Sequence, residues 1–287
     1  SIVNFRHPDG LIFMSVNKGN SLIHLGFKRV EPSKKLSSFV ECYWFINTDI
    51  DNPISTKEYL HPEGGIGIIF NYSDPLQFDG INQTAPCILD GTNTLTRELG
   101  LKGVLDAVGI RFKATGAHLL FSLPLNALKN ETVPLADTSL KNYSTLYSKL
   151  AYAKTTSEKV STIESWLYKS LLSDVNTSNI VKQSLQLIKN QQGLVTIESV
   201  AKNLDINQRR IERLFNSQVG MTPKEYSRNL RIKAARSYIK SNTLSFTEIA
   251  YDLGYYDQAH FINQFNKVTG ITPREYLKKS SKNKSIN

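Results

Sequence analysis

The C-terminal part of the chain contains one sequence pattern twice, fifty positions apart. The first copy reads Gly-Met-Thr-Pro-Lys-Glu-Tyr over residues 220–226, and the second reads Gly-Ile-Thr-Pro-Arg-Glu-Tyr over residues 270–276. Further upstream the match continues between residues 200–201 and 249–250, so the spacing falls there to 49. A repeat whose spacing slips by one residue indicates two copies of one structural unit, with a turn that accepts an insertion.

The second copy has the pattern of two short helices joined by a tight turn. Residues 245–248 read Ser-Phe-Thr-Glu, a capping box, so a helix should begin at Phe246. Gly254 ends this helix, and Asp257 is a suitable N-cap for the next one. Phe261 and Phe265, four positions apart, should face inward. The side chains left to face solvent are then Gln258, His260, Asn263 and Lys267.

The first copy follows the same pattern. Thr196 caps its first helix, and Asn207 caps its second. On the second helix Ile211 and Phe215 are apolar, which leaves Gln208, Arg209, Arg210 and Arg213 exposed. Two helices that meet at a tight turn, the second polar and basic on one side, are typical of a helix-turn-helix DNA reader.

The exposed residues of both second helices are the candidate DNA contacts. Arginine can contact guanine or phosphate, glutamine can contact adenine or phosphate, and His260 and Asn263 can contact base edges. Glu212 either orients Arg209 or accepts a hydrogen bond from a cytosine amine. The alternative for the arginines is a solvated surface or pairing with Glu212. The three tyrosines of this region, Tyr226, Tyr255 and Tyr276, are expected in the core.

The positive charge of the chain lies almost wholly in the repeat region. The net charge is +10; residues 196–287 carry 16 Lys and Arg against 8 Asp and Glu, whereas residues 1–195 carry 19 against 17. Localised positive charge suits a surface that binds phosphates, although basic residues also occur on ordinary solvated helices.

The rest of the chain divides into a β-rich and a helical part. Short apolar runs separated by turn signals predict strands in the first 113 residues and a small barrel or sandwich; the runs are 11–16, 40–46, 67–70 and 104–112. Helices are expected at 116–121, 140–153, 157–172 and 178–190. A long helix should run from Pro223 to about Lys240, with a buried stripe formed by Tyr226, Leu230, Ala234 and Ile239. We therefore expect an α+β chain with a regulatory domain at 1–173 and an all-α domain at 178–280.

Several other classes of protein are disfavoured. Two cysteines without metal-ligand spacing indicate a reduced protein, and no cofactor motif is present. No run approaches the roughly 20 apolar residues of a membrane span. Residues 1–20 place Arg6, Asp9 and Lys18 among the apolar positions, which is not typical of a signal peptide. The cytoplasm is therefore the expected compartment.

The C-terminal region resembles the AraC/XylS family of bacterial transcription regulators. The similar stretches are Ile-Ala-Tyr-Asp-Leu-Gly-Tyr at 249–255, Gln-Ala-His-Phe-Ile-Asn-Gln-Phe at 258–265, and residues 270–276. The resemblance implies seven helices, two helix-turn-helix units joined by the helix that starts at Pro223, and recognition helices after Asn207 and Asp257. It also implies double-stranded DNA and RNA polymerase as partners, and activation rather than repression. Ala259 stands where the family often has serine near the reading position.

The front part is similar to the cupin-like β-barrel found in one branch of the same family. The similar stretches are 43–45, 61–65, 109–113 and 116–117. The resemblance implies a domain that binds a small-molecule effector or forms a homodimer. The candidate effector-binding residues are Tyr43, Trp44, His61 and Arg111. Arg111 either pairs at the mouth of the barrel or binds an anionic effector. His61 and Glu63 lack the further histidines of a metal-binding cupin, so no metal is expected.

Two alternatives to an effector-sensing regulator remain. A regulator without a ligand, controlled by protein partners, would have the same sequence pattern. An enzyme directed to DNA would need a reactive thiol, but the Pro-Cys-Ile sequence around Cys87 has no neighbouring histidine to activate it.

Overall fold

The computed structural model describes residues 26–48, 51, 53–121, 124–171 and 177–282. A β-rich part is followed by helices, as the composition of the two parts predicts. The strands are β1 Lys28–Val30, β2 Val40–Asn47, β3 Ile54–Leu60, β4 Gly67–Asn71, β5 Leu76–Phe78, β6 Ile81–Gln83, β7 Cys87–Asp90, β8 Arg97–Gly103, β9 Asp106–Phe112 and β10 Thr132–Pro134. The strands expected at 40–46, 67–70 and 104–112 are confirmed, and residues 11–16 lie outside the described residues.

The strands form two antiparallel sheets. The larger has the order β1-β2-β9-β4-β7-β10, and the smaller has the order β3-β8-β5-β6. Alternate residues of a strand face opposite sides of its sheet. On β9, Val108, Ile110 and Phe112 therefore join the core on one side, whereas Ala107 and Arg111 face the space between the two sheets. This alternation gives the larger sheet one face toward helices and one face toward a pocket.

Two helices cover the outer face of the larger sheet. They are α1 Tyr143–Tyr152 and α2 Thr156–Ser170. A capping box between Thr155 and Glu158 starts α2, and Ile163 and Leu167 from this helix are buried in the same core as Ile110. The helix expected at 116–121 is only a single 3-10 turn over Ala117–Leu119.

Residues 177–282 form seven helices, the number that the family resemblance implies. They are α3 Asn179–Asn190, α4 Ile197–Asn203, α5 Gln208–Gln218, α6 Pro223–Ser241, α7 Phe246–Asp252, α8 Gln258–Thr269 and α9 Pro273–Lys282. The expected caps are present at Thr196, Asn207, Ser245 and Asp257, each accepting a hydrogen bond from a backbone N–H of the first turn.

The turn between the two helices of each unit has the same left-handed residue in both copies. Gly254 has φ +66°, and the aligned residue of the first copy, Asp205, has φ +51°. Glycine adopts this conformation freely, and aspartate is one of the few other residues that tolerates it. The sequence alignment of Asp205 with Gly254 therefore marks one structural position.

The two helix-turn-helix units have separate cores that share α6. The first core contains Phe215 and Tyr226, and the second contains Ile239, Phe261 and Phe265. The predicted buried stripe of α6 is partly wrong. Tyr226 and Ile239 are buried, but Leu230 and Ala234 are only half-buried, while Asn229, Ile232, Ala235 and Arg236 are buried. The reason is that α6 packs against both units and also against the β-rich part, so no single face is inward.

One segment of the β-rich part contacts both helix-turn-helix units. We call it the bridging segment, residues 91–96, which connects β7 to β8. Thr92 Oγ1 donates a hydrogen bond to the Val219 carbonyl at the end of α5 (2.9 Å), and the Thr96 backbone N–H donates to the Val268 carbonyl in α8 (2.7 Å). Arg228 of α6 donates to the Thr94 carbonyl (3.3 Å). The bridging segment therefore ties the ends of α5 and α8 to the barrel.

Candidate DNA-reading surface and barrel pocket

Helix α5 exposes the four residues expected on its outer side. Its N-cap Asn207 accepts a hydrogen bond from the Arg209 N–H (2.8 Å), which fixes the first turn. Ile211 and Phe215 are fully buried and determine which face turns inward. The residues that remain exposed are Gln208, Arg209, Arg210 and Arg213.

The arginines of α5 are free to meet a ligand. Among the described residues, Arg209, Arg210 and Arg213 have no side-chain hydrogen bond or ion pair. The expectation that Glu212 orients Arg209 is wrong, because Glu212 accepts a hydrogen bond from Gln208 (2.9 Å). Residues 208 and 212 are four positions apart, and residues 209 and 212 are three positions apart. Side chains at either spacing can meet on a helix, so the sequence was compatible with both pairings.

Helix α8 presents the corresponding surface of the second unit. Asp257 accepts a hydrogen bond from the His260 N–H (2.7 Å), and Phe261 and Phe265 are fully buried. The exposed residues are Gln258, Ala259, His260, Asn263 and Lys267. Thr247 of α7 donates a hydrogen bond to the Gln258 side chain (2.7 Å), which couples the two helices of the unit. His260 packs edge-on against Tyr255, with ring centroids 5.4 Å apart.

Two exposed tyrosines belong to this surface and were missed in the sequence. Tyr256 is 92% exposed and lies directly before the N-cap of α8, and Tyr251 is 84% exposed on α7. Tyr226, Tyr255 and Tyr276 are buried as expected. The available signal for Tyr256 was its place next to Asp257, because a residue beside an exposed N-cap is itself often exposed.

The arrangement can bind a polyanion. A helix N-terminus has free N–H groups and a partial positive charge, and α5 and α8 each add polar or basic side chains within their first turns. Guanidinium groups bind phosphate and guanine in a bidentate manner, and amides do the same with adenine. Both helices therefore have the chemistry of a surface that reads nucleic acid.

A pocket lies between the two sheets of the β-rich part. It encloses about 1020 Å³ of atom-free space, including its open mouth, and its walls are mainly apolar. Trp44, Ile69, Phe78 and Leu101 are among the apolar residues, and Trp44 stacks on Phe27. The polar residues that line the pocket are Glu58, His61, Glu63, Asp90, Asn93 and Arg111.

Three of the four candidate effector residues line this pocket, and the fourth does not. Trp44, His61 and Arg111 face it. Tyr43 is fully buried on the opposite face of the sheet, where its hydroxyl donates a hydrogen bond to Glu164 of α2 (3.3 Å). Tyr43 and Trp44 are neighbours in β2, so they necessarily point to opposite sides, and we withdraw Tyr43 as a candidate.

The carboxylates at the polar end of the pocket are held by cations other than Arg111. Asp90 pairs with Arg97 (3.1 Å) and accepts from Asn93 (3.0 Å). Glu63 pairs with Lys233 of α6 (3.1 Å). The expected pairing of Arg111 at the barrel mouth is wrong among the described residues, because no carboxylate lies within ion-pair distance of its guanidinium.

Burial changes the titration of two groups at this end of the pocket. Burial raises the pKa of Asp90, against the opposing effect of Arg111 and of the hydrogen bond from Asn93. Burial, together with the positive charges of Arg236 and Lys240, lowers the pKa of His61 well below its ordinary value. His61 is therefore neutral at pH 7, and its Nδ1 lies 2.8 Å from the Thr96 hydroxyl of the bridging segment.

The described part of the chain contains neither an activated thiol nor a cluster of residues suited to a metal ion. Cys42 and Cys87 are free and buried, and burial raises the pKa of each thiol to about 11, so neither is an activated nucleophile. No group of three or more His, Cys, Asp or Glu residues that suits a metal ion occurs among the described residues. The helices described also include none with the length and apolar character needed to cross a membrane.

Two family models match the chain. One is a helix-turn-helix domain over residues 200–279, and the other is a domain of unknown function (DUF6597) over residues 28–134. The HTH-type transcriptional activator RhaS of Escherichia coli strain SE11 is 32% identical over 81 residues, which is 28% of this chain and 29% of the relative. The same protein from Shigella boydii serotype 18 matches over the same shares. The chain thus aligns with less than a third of the length of these curated relatives.

Solved structures of two bacterial proteins are similar to parts of the chain. The C-terminal domain of AraT, a response regulator from Geobacillus stearothermophilus, is 28% identical and covers 37% of this chain and 88% of its own, with a TM-score of 0.35. ToxT from Vibrio cholerae O395 is 13% identical and covers 88% of this chain and 99% of its own, with a TM-score of 0.45.

Proposed function

We propose that the chain, whose residues 200–279 match a helix-turn-helix family model, is a transcription regulator of the AraC/XylS family that binds specific double-stranded DNA. The observation that carries the proposal is the pair of equivalent helices, α5 and α8. Each begins at an Asx cap and is anchored by two buried apolar residues. Each exposes the polar and basic side chains of its first turns.

The residues proposed to contact DNA fall into groups according to the type of side chain. Arg209, Arg210 and Arg213 bind guanine edges or phosphates, because their guanidinium groups have no partner among the described residues. Gln208 and Gln258 are proposed to read adenine or reach phosphate. The remaining contacts of the second unit are assigned to His260, Asn263 and Lys267.

Helix α6 is proposed to set the spacing of the two units on DNA. Its 19 residues form a rod of about 28 Å at about 1.5 Å per residue. Successive major grooves on one side of a duplex lie about 34 Å apart. A rod of this length, together with the width of the units at its ends, suits two neighbouring grooves.

We further propose that the protein activates transcription and contacts RNA polymerase. The support is the similarity of residues 200–279 to activators of the same type. The proposal includes a regulatory domain at 1–173, a DNA-binding domain at 178–280, a homodimer and the cytoplasm as the compartment. An enzymatic role is not part of it, since the relatives are regulators and both described thiols are unactivated.

The β-rich domain is proposed to bind a small-molecule effector in the pocket between its sheets. Trp44, His61 and Arg111 line that pocket. A regulator without a ligand, controlled by protein partners, is the alternative, and the apolar walls of the pocket with a few polar groups at one end favour the effector.

A gel-shift measurement tests the DNA-binding proposal. The probe is a duplex enriched from a random-sequence pool by repeated binding to the full chain. We expect salt-sensitive binding that is at least 100-fold stronger than to a scrambled duplex. Arg213→Ala should weaken it by about 10- to 100-fold, which corresponds to about 1–3 kcal/mol for a bidentate base contact.

The matched control is Lys149→Ala, which removes an exposed positive charge on α1, outside the helix-turn-helix region. Its affinity should equal that of the wild type. Equal affinities for the enriched and scrambled duplexes, or an equal loss in both variants, would contradict sequence-specific reading by α5.

A further inference from the structure

We propose that the pocket between the two sheets binds a small organic anion, with the anionic group on Arg111 and an apolar body against the aromatic and aliphatic walls. This inference rests on the proposed function and specifies the class of effector. Its basis is a half-buried guanidinium that lies in the pocket and has no ion pair or hydrogen bond among the described residues.

Two carboxylates at this end of the pocket have direct ion-pair partners other than Arg111. Asp90 is held by Arg97 and Asn93, and Glu63 is held by Lys233. Within the described part of the chain, Arg111 is the only Lys or Arg side chain that lines the pocket, and no carboxylate lies at ion-pair distance from it. Its positive charge lowers the pKa of Asp90 from beyond ion-pair distance, and direct contact with a bound anion would supply the partner that Arg111 lacks.

Gly67 leaves room beside the guanidinium. Gly67 of β4 pairs with Arg111 of β9 on one side and with Asp90 of β7 on the other. A side-chain carbon placed at Gly67 would lie 3.9 Å from Arg111 Nη1, which is ordinary contact distance, so this gap is open. At Gly65, such a carbon would collide with the Phe112 backbone carbonyl, so close backbone packing accounts for that glycine. Glycine within a strand often marks a place where a ligand approaches closely.

The pocket is amphipathic along its length. Gly67 begins β4, Asp90 ends β7, and Arg111 is the last residue but one of β9, so these three lie at one end of the larger sheet. The bridging segment and the Glu63–Lys233 pair are at the same end, against the helical domain. The apolar walls formed by Trp44, Phe78 and Leu101 line the rest.

This division of polar and apolar surface selects the ligand class. A carboxylate matches the two parallel N–H donors of a guanidinium, and it is stabilised strongly where water is excluded. An apolar tail gains free energy of about 25 cal/mol for each Å² that it buries against the walls. A polyol would need polar partners along its whole length, and these walls do not provide them.

The test compares two carboxylates with their uncharged counterparts on the full chain by isothermal titration calorimetry. The probes are octanoate and 3-phenylpropionate, together with their primary amides. We expect at least one carboxylate to bind the wild type at least tenfold more tightly than its amide. Arg111→Met should remove this preference, and Arg111→Lys should retain part of it. Arg29→Met is the matched control, because Arg29 pairs with Glu41 away from the pocket, and it should bind like the wild type.

Measurements on two variants distinguish a loss of the anion site from a loss of the fold. Without ligand, the circular dichroism spectrum of Arg111→Met should match that of the wild type, which shows that a loss of binding is not a loss of fold. Gly67→Val should fill the gap beside the guanidinium and lose the carboxylate preference while keeping Arg111.

Three results would overturn the inference: no binding of either carboxylate at 10 mM, equal binding of carboxylate and amide, or wild-type binding by Arg111→Met. Gel shifts of the same wild-type preparation separate the two proposals. Specific DNA binding with no preference for the anion would reject the effector class alone, whereas loss of specific DNA binding would reject the proposed function.

Discussion

At the scale of single residues, local chemistry was readable from the sequence, and partners distant in the chain were not. The cap of α8 at Asp257 and the buried Phe261 followed from spacing within one helix. The orientation of Tyr43 and the lack of a partner for Arg111 depend on how β2, β4 and β9 pair, and those contacts join residues far apart in sequence. A pattern of period two predicts that neighbours face opposite sides, but not which side holds the pocket.

At the scale of single residues, His61 also makes the stability of the fold depend on pH near neutrality. Its folded-state pKa is lowered by burial and by Arg236 and Lys240, so the unfolded chain binds the proton more readily. Stability is therefore complete above the unfolded pKa of about 6.5 and falls as pH decreases below it. We expect the free energy of unfolding to decrease from pH 7.5 to 5.5, with a slope from this group of at most about 1.4 kcal/mol per pH unit.

Urea unfolding at several pH values measures this slope. His61→Gln removes the titrating group, so its stability should change less over the same range. His118, whose pKa is lowered by burial, and Asp90, whose pKa is raised by burial, contribute to the slope in both proteins. An identical pH dependence of the wild type and His61→Gln would show that His61 does not titrate on unfolding.

At the scale of elements, the helices were predictable because their signals are local. Capping boxes, Pro223 at a first helical position and the turn residue Gly254 all lie within a few residues of the boundary that they determine. The bridging segment could not be predicted, since residues 91–96 contain no periodic pattern. Its role depends on contacts with α5 and α8, more than 120 residues later.

The bridging segment should contribute to stability through Thr92. The Thr92 hydroxyl is buried and donates to the Val219 carbonyl, so Thr92→Val leaves that carbonyl without its donor. A buried carbonyl without a partner costs about 1–3 kcal/mol. We expect Thr92→Val to lower the free energy of unfolding by about this amount, measured by chemical denaturation. Thr92→Ser keeps the hydroxyl and should lose less; equal losses would assign the effect to packing.

At the scale of the whole molecule, the positive charge and the repeated sequence pattern lie in the same part of the chain. The excess positive charge of residues 196–287 lies in the region that contains both helix-turn-helix units. The β-rich part carries nearly balanced charge, contains the pocket and contacts the helical part through the bridging segment and the Glu63–Lys233 pair. This arrangement suits a domain that senses one molecule while another domain binds DNA.

The central claim is that the two units bind one duplex together, and hydroxyl-radical footprinting of the full chain on the enriched duplex tests it most directly. The account predicts two protected stretches on one side of the duplex, with centres about 10–10.5 base pairs apart, the spacing of successive major grooves. Arg213→Ala should weaken one stretch, and Asn263→Ala should weaken the other. A single protected stretch, or two stretches on opposite sides of the duplex, would contradict the account.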